Sequence, residues 1–443
     1  MERLYRWYGR HRPAVVNTAP AAAGYDARTI IPEIAPLPAR RSPLNESRLN
    51  LCVPSLSEQH VFGGIATALR LFDELSTGFD HLRIILTDAA AASGDIVERY
   101  ADWKIVTGID ADCAGRLIFQ ATDRRGPIPV RKNDYFVATA WWTAWLVRGL
   151  LRWQKNEYEL RNRRFVYLIQ DYEPGFYAWS SHYVLAEATY RHPEEIVAIF
   201  NTRMLREHFE YSGYAFDRVF VFEPRLNEQL AAYRSRSPRR QKERTIMIYG
   251  RPSTPRNAFA LIVLALQIWA QSYSRAAAWR VVSVGEPHAD IPLEEGIVIE
   301  SLGKLALADY AEVLDSAAIG ISLMISPHPS YPPLEMASFG VRVITNGYGP
   351  KDLSKLHTGI VSVAVPEPEN IARELGRLCD AFESDQWTNQ GGNFIDGTFE
   401  DGRGGVFFSP DGILRALGSD PGIAHRVSPQ TGAAGLPTGA AAP

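Results

Sequence analysis

From residue 49 onward, short apolar runs alternate with longer segments whose apolar positions repeat at helical spacing. The runs at 49–53, 82–87, 135–139, 165–170, 196–200 and 218–222 predict strands, and stretches such as 65–75 and 141–153 predict helices between them. Strands that are apolar throughout, alternating with helices, imply a parallel sheet covered on both faces. The pattern stops at Tyr233-Arg-Ser-Arg-Ser-Pro-Arg-Arg-Gln-Lys-Glu, a polar, basic stretch with the character of a linker. It restarts with strands at 245–249, 280–284, 297–299, 319–324 and 341–345, and helices at 258–272, 307–316 and 332–340. The expected fold class is therefore α/β, with two Rossmann-like doubly wound domains facing across a cleft, spanning 48–235 and 244–418 about a linker at 236–243.

The ends behave differently. Residues 1–47 hold six prolines (Pro13, Pro20, Pro32, Pro36, Pro38, Pro43) and predict an extended arm, while residues 419–443 are Gly-, Ala-, Pro- and Thr-rich and predict a disordered tail. At 443 residues the chain exceeds the roughly 250–300 that one core usually supports. A net charge of −3 gives no reason to expect a nucleic-acid partner. Three cysteines without a Cys-x-x-Cys pair exclude a disulfide framework and a structural zinc site, and favour a reducing, cytoplasmic compartment. The longest apolar stretch, 259–270, falls short of the roughly 18–20 residues of a membrane span and reads as a buried helix. Segments 4–12 and 234–244 combine basic and aromatic residues suited to an anionic lipid surface, so peripheral contact at the inner membrane face stands beside the plainer reading of solvated tail and linker.

In doubly wound sheets, ligands bind beyond the carboxyl ends of the strands, where helix N-termini favour anions. Four places fit. Gly63-Gly64 opens a helix shortly after the first strand and could admit a diphosphate to backbone N–H groups, or be only a turn. Arg251 follows the first strand of the second unit, where a guanidinium can fork onto phosphate oxygens. Lys304 sits between an apolar run and a helix and would add a second positive charge. Either cation could equally be a solvated surface residue. The fourth place is Ser326-Pro-His-Pro-Ser-Tyr-Pro-Pro-Leu-Glu-Met-Ala-Ser-Phe-Gly, followed by Val341-Arg-Val-Ile-Thr-Asn. Pro332 and Pro333 suit a first helical turn, and Glu335 there either stabilises the helix dipole or accepts hydrogen bonds from a ribose or sugar hydroxyl.

That fourth motif, with Gly250-Arg251 and Gly63-Gly64, resembles the donor site of family 4 glycosyltransferases. Tyr167-Leu-Ile-Gln-Asp-Tyr-Glu-Pro-Gly-Phe-Tyr, together with His328-Pro-Ser-Tyr-Pro-Pro-Leu-Glu-Met-Ala, is similar to bacterial rhamnosyltransferases that build S-layer and surface glycans from dTDP-β-L-rhamnose. The resemblance covers roughly 48–385. It implies a GT-B fold and retaining transfer of a sugar from a nucleotide-sugar donor to a glycan or lipid-linked glycan acceptor, without metal or other cofactor. Arg251 and Lys304 would hold the diphosphate; Tyr331 and Glu335 would bind nucleoside and sugar. Asp171 and Glu173 would face the acceptor or the reacting sugar, as base or as stabiliser of an oxocarbenium ion. The broader family places a glutamate eight positions before Glu335; here that position is Pro327, so sugar recognition would pass to other groups, His328 among them.

Three other readings compete. A metal-dependent GT-A transferase needs an Asp-x-Asp pair, which Asp110-Ala-Asp112 supplies, although two restarting doubly wound units do not fit that fold. An epimerase on the same scaffold would need no acceptor. A non-catalytic subunit, binding sugar nucleotides or scaffolding an assembly complex, is favoured by the Pro327 departure, but a chain freed from donor binding would have no physical need to keep Arg251, Lys304 and Glu335 together.

Overall fold

The computed structural model describes residues 31–58, 63–91, 94–124, 126–223, 226–236, 241–384 and 410–418. The chain divides into a short leading unit, residues 1–35, whose described part holds one 3-10 turn at Pro32–Ile34, and a large unit, residues 36–443.

Among the described residues, ten strands occupy the first half of the large unit: β1 (Ala39–Arg41), β2 (Arg48–Val53), β3 (His81–Leu86), β4 (Lys104–Val106), β5 (Arg116–Gln120), β6 (Ile128–Val130), β7 (Asp134–Ala138), β8 (Phe165–Ile169), β9 (Ile196–Phe200) and β10 (Val219–Val221). Eight of them form one parallel sheet in the order β10-β9-β8-β7-β2-β3-β5-β4. Strands β2, β7, β8 and β9 are buried at every position, which is why their positions are apolar apart from Arg48, Asn50 and Asp134. Successive side chains of β2 serve opposite faces. Cys52 joins Ala144, Val147 and Leu151 of helix Trp141–Glu157, whereas Leu49, Leu51 and Val53 join Leu71 and Phe72 of helix Gly63–Leu75.

Two expectations are corrected. Beyond residue 35 the proline-rich arm is part of the fold: β1 pairs in parallel with β6, Ala39 opposite Ile128, and the Ser42 hydroxyl donates to Asp112 Oδ2 at 2.6 Å. Helix Pro410–Leu417, assigned above to the second unit, packs Ile413, Leu414 and Leu417 into the core of the first sheet. Residues 1–30 and 419–443 lie outside the described residues.

At the amino ends of β2, β3 and β7, away from the ligand side, lies a buried ionic network. Arg48 holds Asp134 through Nε at 2.7 Å and Nη2 at 2.8 Å, and Asp112 through Nη1 at 2.6 Å. Arg131 Nε reaches Asp112 at 2.9 Å, and the Asn50 amide links Asp134 to Arg83. Although burial opposes it, this ring of guanidinium groups holds both carboxyls below the ordinary carboxylate range. On acidification the unfolded chain therefore takes up protons first, at about pH 4. The stabilisation is complete above that pH and is lost as pH falls through the depressed native values. Urea titrations between pH 7 and 3 should show stability falling steeply below about pH 4, with a shallower fall in Asp112→Asn, which has one titrating group fewer. Equal slopes would mean that the network does not set acid stability.

The second sheet contains β11 (Glu243–Gly250), β12 (Arg280–Gly285), β13 (Ile291–Pro292), β14 (Val298–Gly303), β15 (Ala317–Ile321), β16 (Arg342–Asn346) and β17 (Ile360–Val363), in the order β13-β14-β12-β11-β15-β16-β17. All its neighbours are parallel except β13 with β14. Helices Phe259–Ser272 and Pro368–Glu383 cover one face, and Leu307–Ser316 and Pro332–Ser338 the other. The basic stretch before β11 is more structural than its composition implies. Lys242 is buried with its ammonium on the Leu314 carbonyl at 2.7 Å, and Arg244 pairs with Glu383 at 2.7 Å. Segment 4–12 and residues 237–240 lie outside the described residues.

Candidate active site

Three neighbouring strands of the second sheet end in glycine. In register, Gly250 of β11 faces Gly285 of β12, and Val284 of β12 faces Gly303 of β14. A Cβ at Gly250 would collide with the Ser283 hydroxyl and the Phe259 ring, so the backbone there can only be bare. The row forms a shelf without side chains, and the residues immediately beyond it are Arg251, Glu286 and Lys304. Arg251 hydrogen-bonds with Tyr249, while Lys304 is exposed. Glu286 is held by Ser253 through its N–H at 2.8 Å and its hydroxyl at 2.5 Å. The two predicted cations thus flank one shelf.

Glu335 lies in the first turn of helix Pro332–Ser338 and accepts from the Tyr310 hydroxyl at 2.9 Å. Burial pushes its carboxyl up to about 7, against the pull of that hydrogen bond. Tyr331 caps the same helix and makes a side-chain hydrogen bond with Thr67, on helix Gly63–Leu75 of the first sheet. That helix opens at Gly63 with φ +41°, a left-handed conformation that favours glycine. A Cβ on Gly64 would press on the Gln170 amide at 3.0 Å. The glycine pair therefore lets the helix start close against the end of β8.

The chain beyond β8 meets the loop beyond β15. Asp171 is buried; its Oδ1 accepts from the Tyr172 N–H at 2.8 Å and from the Ser326 hydroxyl, and Arg256 Nε stands 3.8 Å from Oδ2. Ser326 and Arg256 both belong to the second half of the chain, so Asp171 joins the two sheets. His328 follows two residues later, also buried. Its Nδ1 accepts from the Ser330 N–H at 3.0 Å, and Ser330 has a left-handed φ of +69°, the strained geometry of a tight loop. Burial lowers the imidazole to about 4, so it is neutral at physiological pH. With Nδ1 accepting, the proton resides on Nε2, and that buried atom has no hydrogen-bond partner among the described residues. The loop thus presents a bare N–H donor beside Asp171.

Glu173 differs from its neighbour. It begins a 3-10 turn, Glu173–Phe176, with its carboxyl turned inward against the Tyr167 hydroxyl at 3.3 Å and the backbone N–H of Trp141. Burial raises it to about 8 in spite of those donors. A carboxyl that keeps its proton at pH 7 is not a base, so of the two acidic candidates only Asp171 presents a carboxylate to the opposing loop.

Several residues at the site carried no signal of their own. Ser326 and Arg256 hold Asp171 from 155 and 85 positions away. Asn346 brackets the backbone of Met324 with both side-chain atoms (2.7 and 3.0 Å), and the buried Lys351 ammonium donates to the same Met324 carbonyl at 2.6 Å. Asn346 ends the Val341-Arg-Val-Ile-Thr-Asn run and could have been suspected from its place at a strand end; Lys351 follows Gly-Pro in an irregular stretch. Asp112 of the Asp-x-Asp pair is enclosed in the ionic network, and Asp110 Oδ2 accepts from Thr107, so neither carboxylate points at the cleft residues above.

Two doubly wound sheets, joined where the chain beyond β8 meets the loop beyond β15, define a chain of GT-B architecture. Residues 48–203 match the WsaF N-terminal domain and residues 244–376 the WsaF C-terminal domain. The two occur in order and together span more than half of the chain, which belongs to the WsaF family. Among curated proteins, the O-antigen biosynthesis protein RfbC of Myxococcus xanthus is 30% identical over 333 residues, covering 73% of this chain. The chain spans about a quarter (24%) of that relative's length. Among solved structures, Anabaena HepE with UDP-glucose is 14% identical over 79% of this chain and 93% of that one, with a TM-score of 0.51. A trehalose-phosphate synthase from Burkholderia xenovorans is 10% identical over 84% and 99%, also at 0.51. Sucrose-phosphate synthase from Thermosynechococcus elongatus is 12% identical over 80% and 94%, at 0.50. At such identities these likenesses bear on the fold alone. No helix among the described residues is long and apolar enough to cross a membrane.

Proposed function

We propose that the chain transfers a sugar, L-rhamnose from dTDP-β-L-rhamnose, to a growing surface glycan with retention at the anomeric carbon. The observation that carries this reading is the meeting of Asp171 with the His328 loop, beside the glycine shelf flanked by Arg251 and Lys304. The diphosphate lies over the shelf, where bare backbone and two cations balance its charge as the bond from C1 to the phosphate oxygen breaks. The acceptor hydroxyl attacks C1 on the face the diphosphate leaves, and its proton passes to the departing phosphate oxygen. Asp171 steadies the positive charge at the sugar, and His328 Nε2–H donates to a sugar hydroxyl in place of the missing glutamate at Pro327. The relative's role in O-antigen biosynthesis supports a surface-glycan acceptor. Peripheral contact with the cytoplasmic membrane face belongs to the same reading, since a lipid-linked acceptor would be met there.

Cationic side chains rather than a metal hold the diphosphate in this scheme, and the engagement of Asp112 with Arg48 and Arg131 supports that. Thermal-shift titration with dTDP, UDP and GDP, followed by turnover of the corresponding sugar conjugates, tests the donor. The largest shift should come from dTDP, and turnover should persist in excess EDTA. Activity that disappears with chelator and returns with manganese would overturn the metal-free scheme.

A further inference from the structure

Resting on this reading, the structure points to an aromatic platform for the acceptor at residues 176–184, where we propose that a glycan of several sugar units, rather than a single sugar, lies along the first domain. Trp179 is 92% exposed, an unusual state for so large an apolar side chain, and it is not loose: its ring stacks on Tyr183 with centroids 5.3 Å apart and planes 19° from parallel. Phe176 and Val184 of the same segment are also exposed. Single exposed apolar residues are ordinary; a contiguous run of them with two rings held parallel is a surface shaped for contact.

The platform joins the reacting centre by two routes. Tyr183 hydrogen-bonds with Tyr172, whose backbone N–H donates to Asp171. Phe176 lies under the guanidinium of Arg256, 4.4 Å from ring centroid to Cζ, and Arg256 in turn stands 3.8 Å from Asp171. A molecule resting on Trp179 and reaching Asp171 is therefore in touch with the same connected group of side chains throughout.

The chemistry selects the occupant. A pyranose ring has an apolar face of C–H bonds and a rim of hydroxyls, so it stacks on an aromatic ring while its edges seek polar partners. Ser180 and Ser181 follow Trp179 directly and are exposed, and their hydroxyl protons can supply such partners, although the Ser180 oxygen also accepts from the Tyr183 N–H. Aromatic side chains offer such area at little conformational cost. Because Trp179 is reached through Tyr183 and Tyr172, it meets a sugar unit other than the one whose hydroxyl attacks the donor at the Asp171 site.

A glycan array of rhamnose-, mannose- and glucose-containing mono- to hexasaccharides, with phosphatidylglycerol vesicles in parallel, tests the platform on the full chain. Wild type should retain a matching tetrasaccharide at least about tenfold more tightly than its monosaccharide. Trp179→Ala should abolish that difference, and Trp179→Phe should keep part of it. Neither should alter the thermal shift with nucleotide, since the exposed ring touches no donor residue. The platform is overturned if wild type shows no gain with glycan length, if Trp179→Ala retains the tetrasaccharide equally, or if the substitution weakens vesicle binding and leaves glycan binding intact. Loss of every nucleotide shift in wild type would instead sink the transferase reading, and the array result would still judge the platform.

Discussion

Asp171→Asn is expected to lower kcat by about two to three orders of magnitude while leaving dTDP affinity within a few-fold of wild type. The substitution keeps shape and one acceptor oxygen for the Tyr172 N–H and the Ser326 hydroxyl but removes the carboxylate oxygen that faces Arg256. An interaction strongest when the sugar is most positive is lost from the transition state and hardly at all from the nucleotide complex. Glu173→Gln provides the contrast. Its carboxyl is held at about 8 and already carries a proton at pH 7, so the amide should cost only a few-fold. Steady-state kinetics and calorimetry with dTDP on both variants decide the matter. If dTDP affinity falls as far as turnover in Asp171→Asn, the residue belongs to the donor site; if Glu173→Gln is the more damaging change, the assignment of the charged partner is wrong.

Arg251→Ala and Lys304→Ala should each weaken dTDP binding by about one to two decades while leaving thymidine binding nearly unchanged. A charge-assisted hydrogen bond contributes roughly 1.5–3 kcal/mol, and each substitution removes one cation beside the shelf. Arg251 should show the larger effect because it is half-buried, whereas Lys304 is exposed and its charge is screened by solvent. kcat should fall as well, since phosphate charge grows as the glycosidic bond breaks. Calorimetry with dTDP and thymidine separates the two components. Both variants binding dTDP like wild type would place the donor elsewhere.

Most parallel strands were legible because burial on both faces makes most of their positions apolar. Strands β1, β4 and β6, of three residues each, are too short for that signal, and β5 starts with an exposed arginine inside a polar stretch. At the candidate site, strand ends pointed to Arg251 and Lys304 and a helix first turn to Glu335, whereas Asp171 came from the family resemblance. What stayed hidden was side-chain direction and distant partnership. Nothing in Asp171-Tyr-Glu173 says that one carboxyl meets Ser326 and Arg256 while the other is held by Tyr167 and the Trp141 N–H. Ser326 and Arg256 become partners of Asp171 only when two separate sheets meet.

The return of helix Pro410–Leu417 to the first sheet has a consequence for biosynthesis. Ile413, Leu414 and Leu417 complete a core whose strands are all made by residue 221. A ribosome adding about 5–20 residues per second needs on the order of 10–40 s to travel from β10 to that helix. For that interval the nascent first domain carries an uncovered apolar strip along helix Gly63–Leu75 and β9. The first domain to be synthesised is thus the last to be finished.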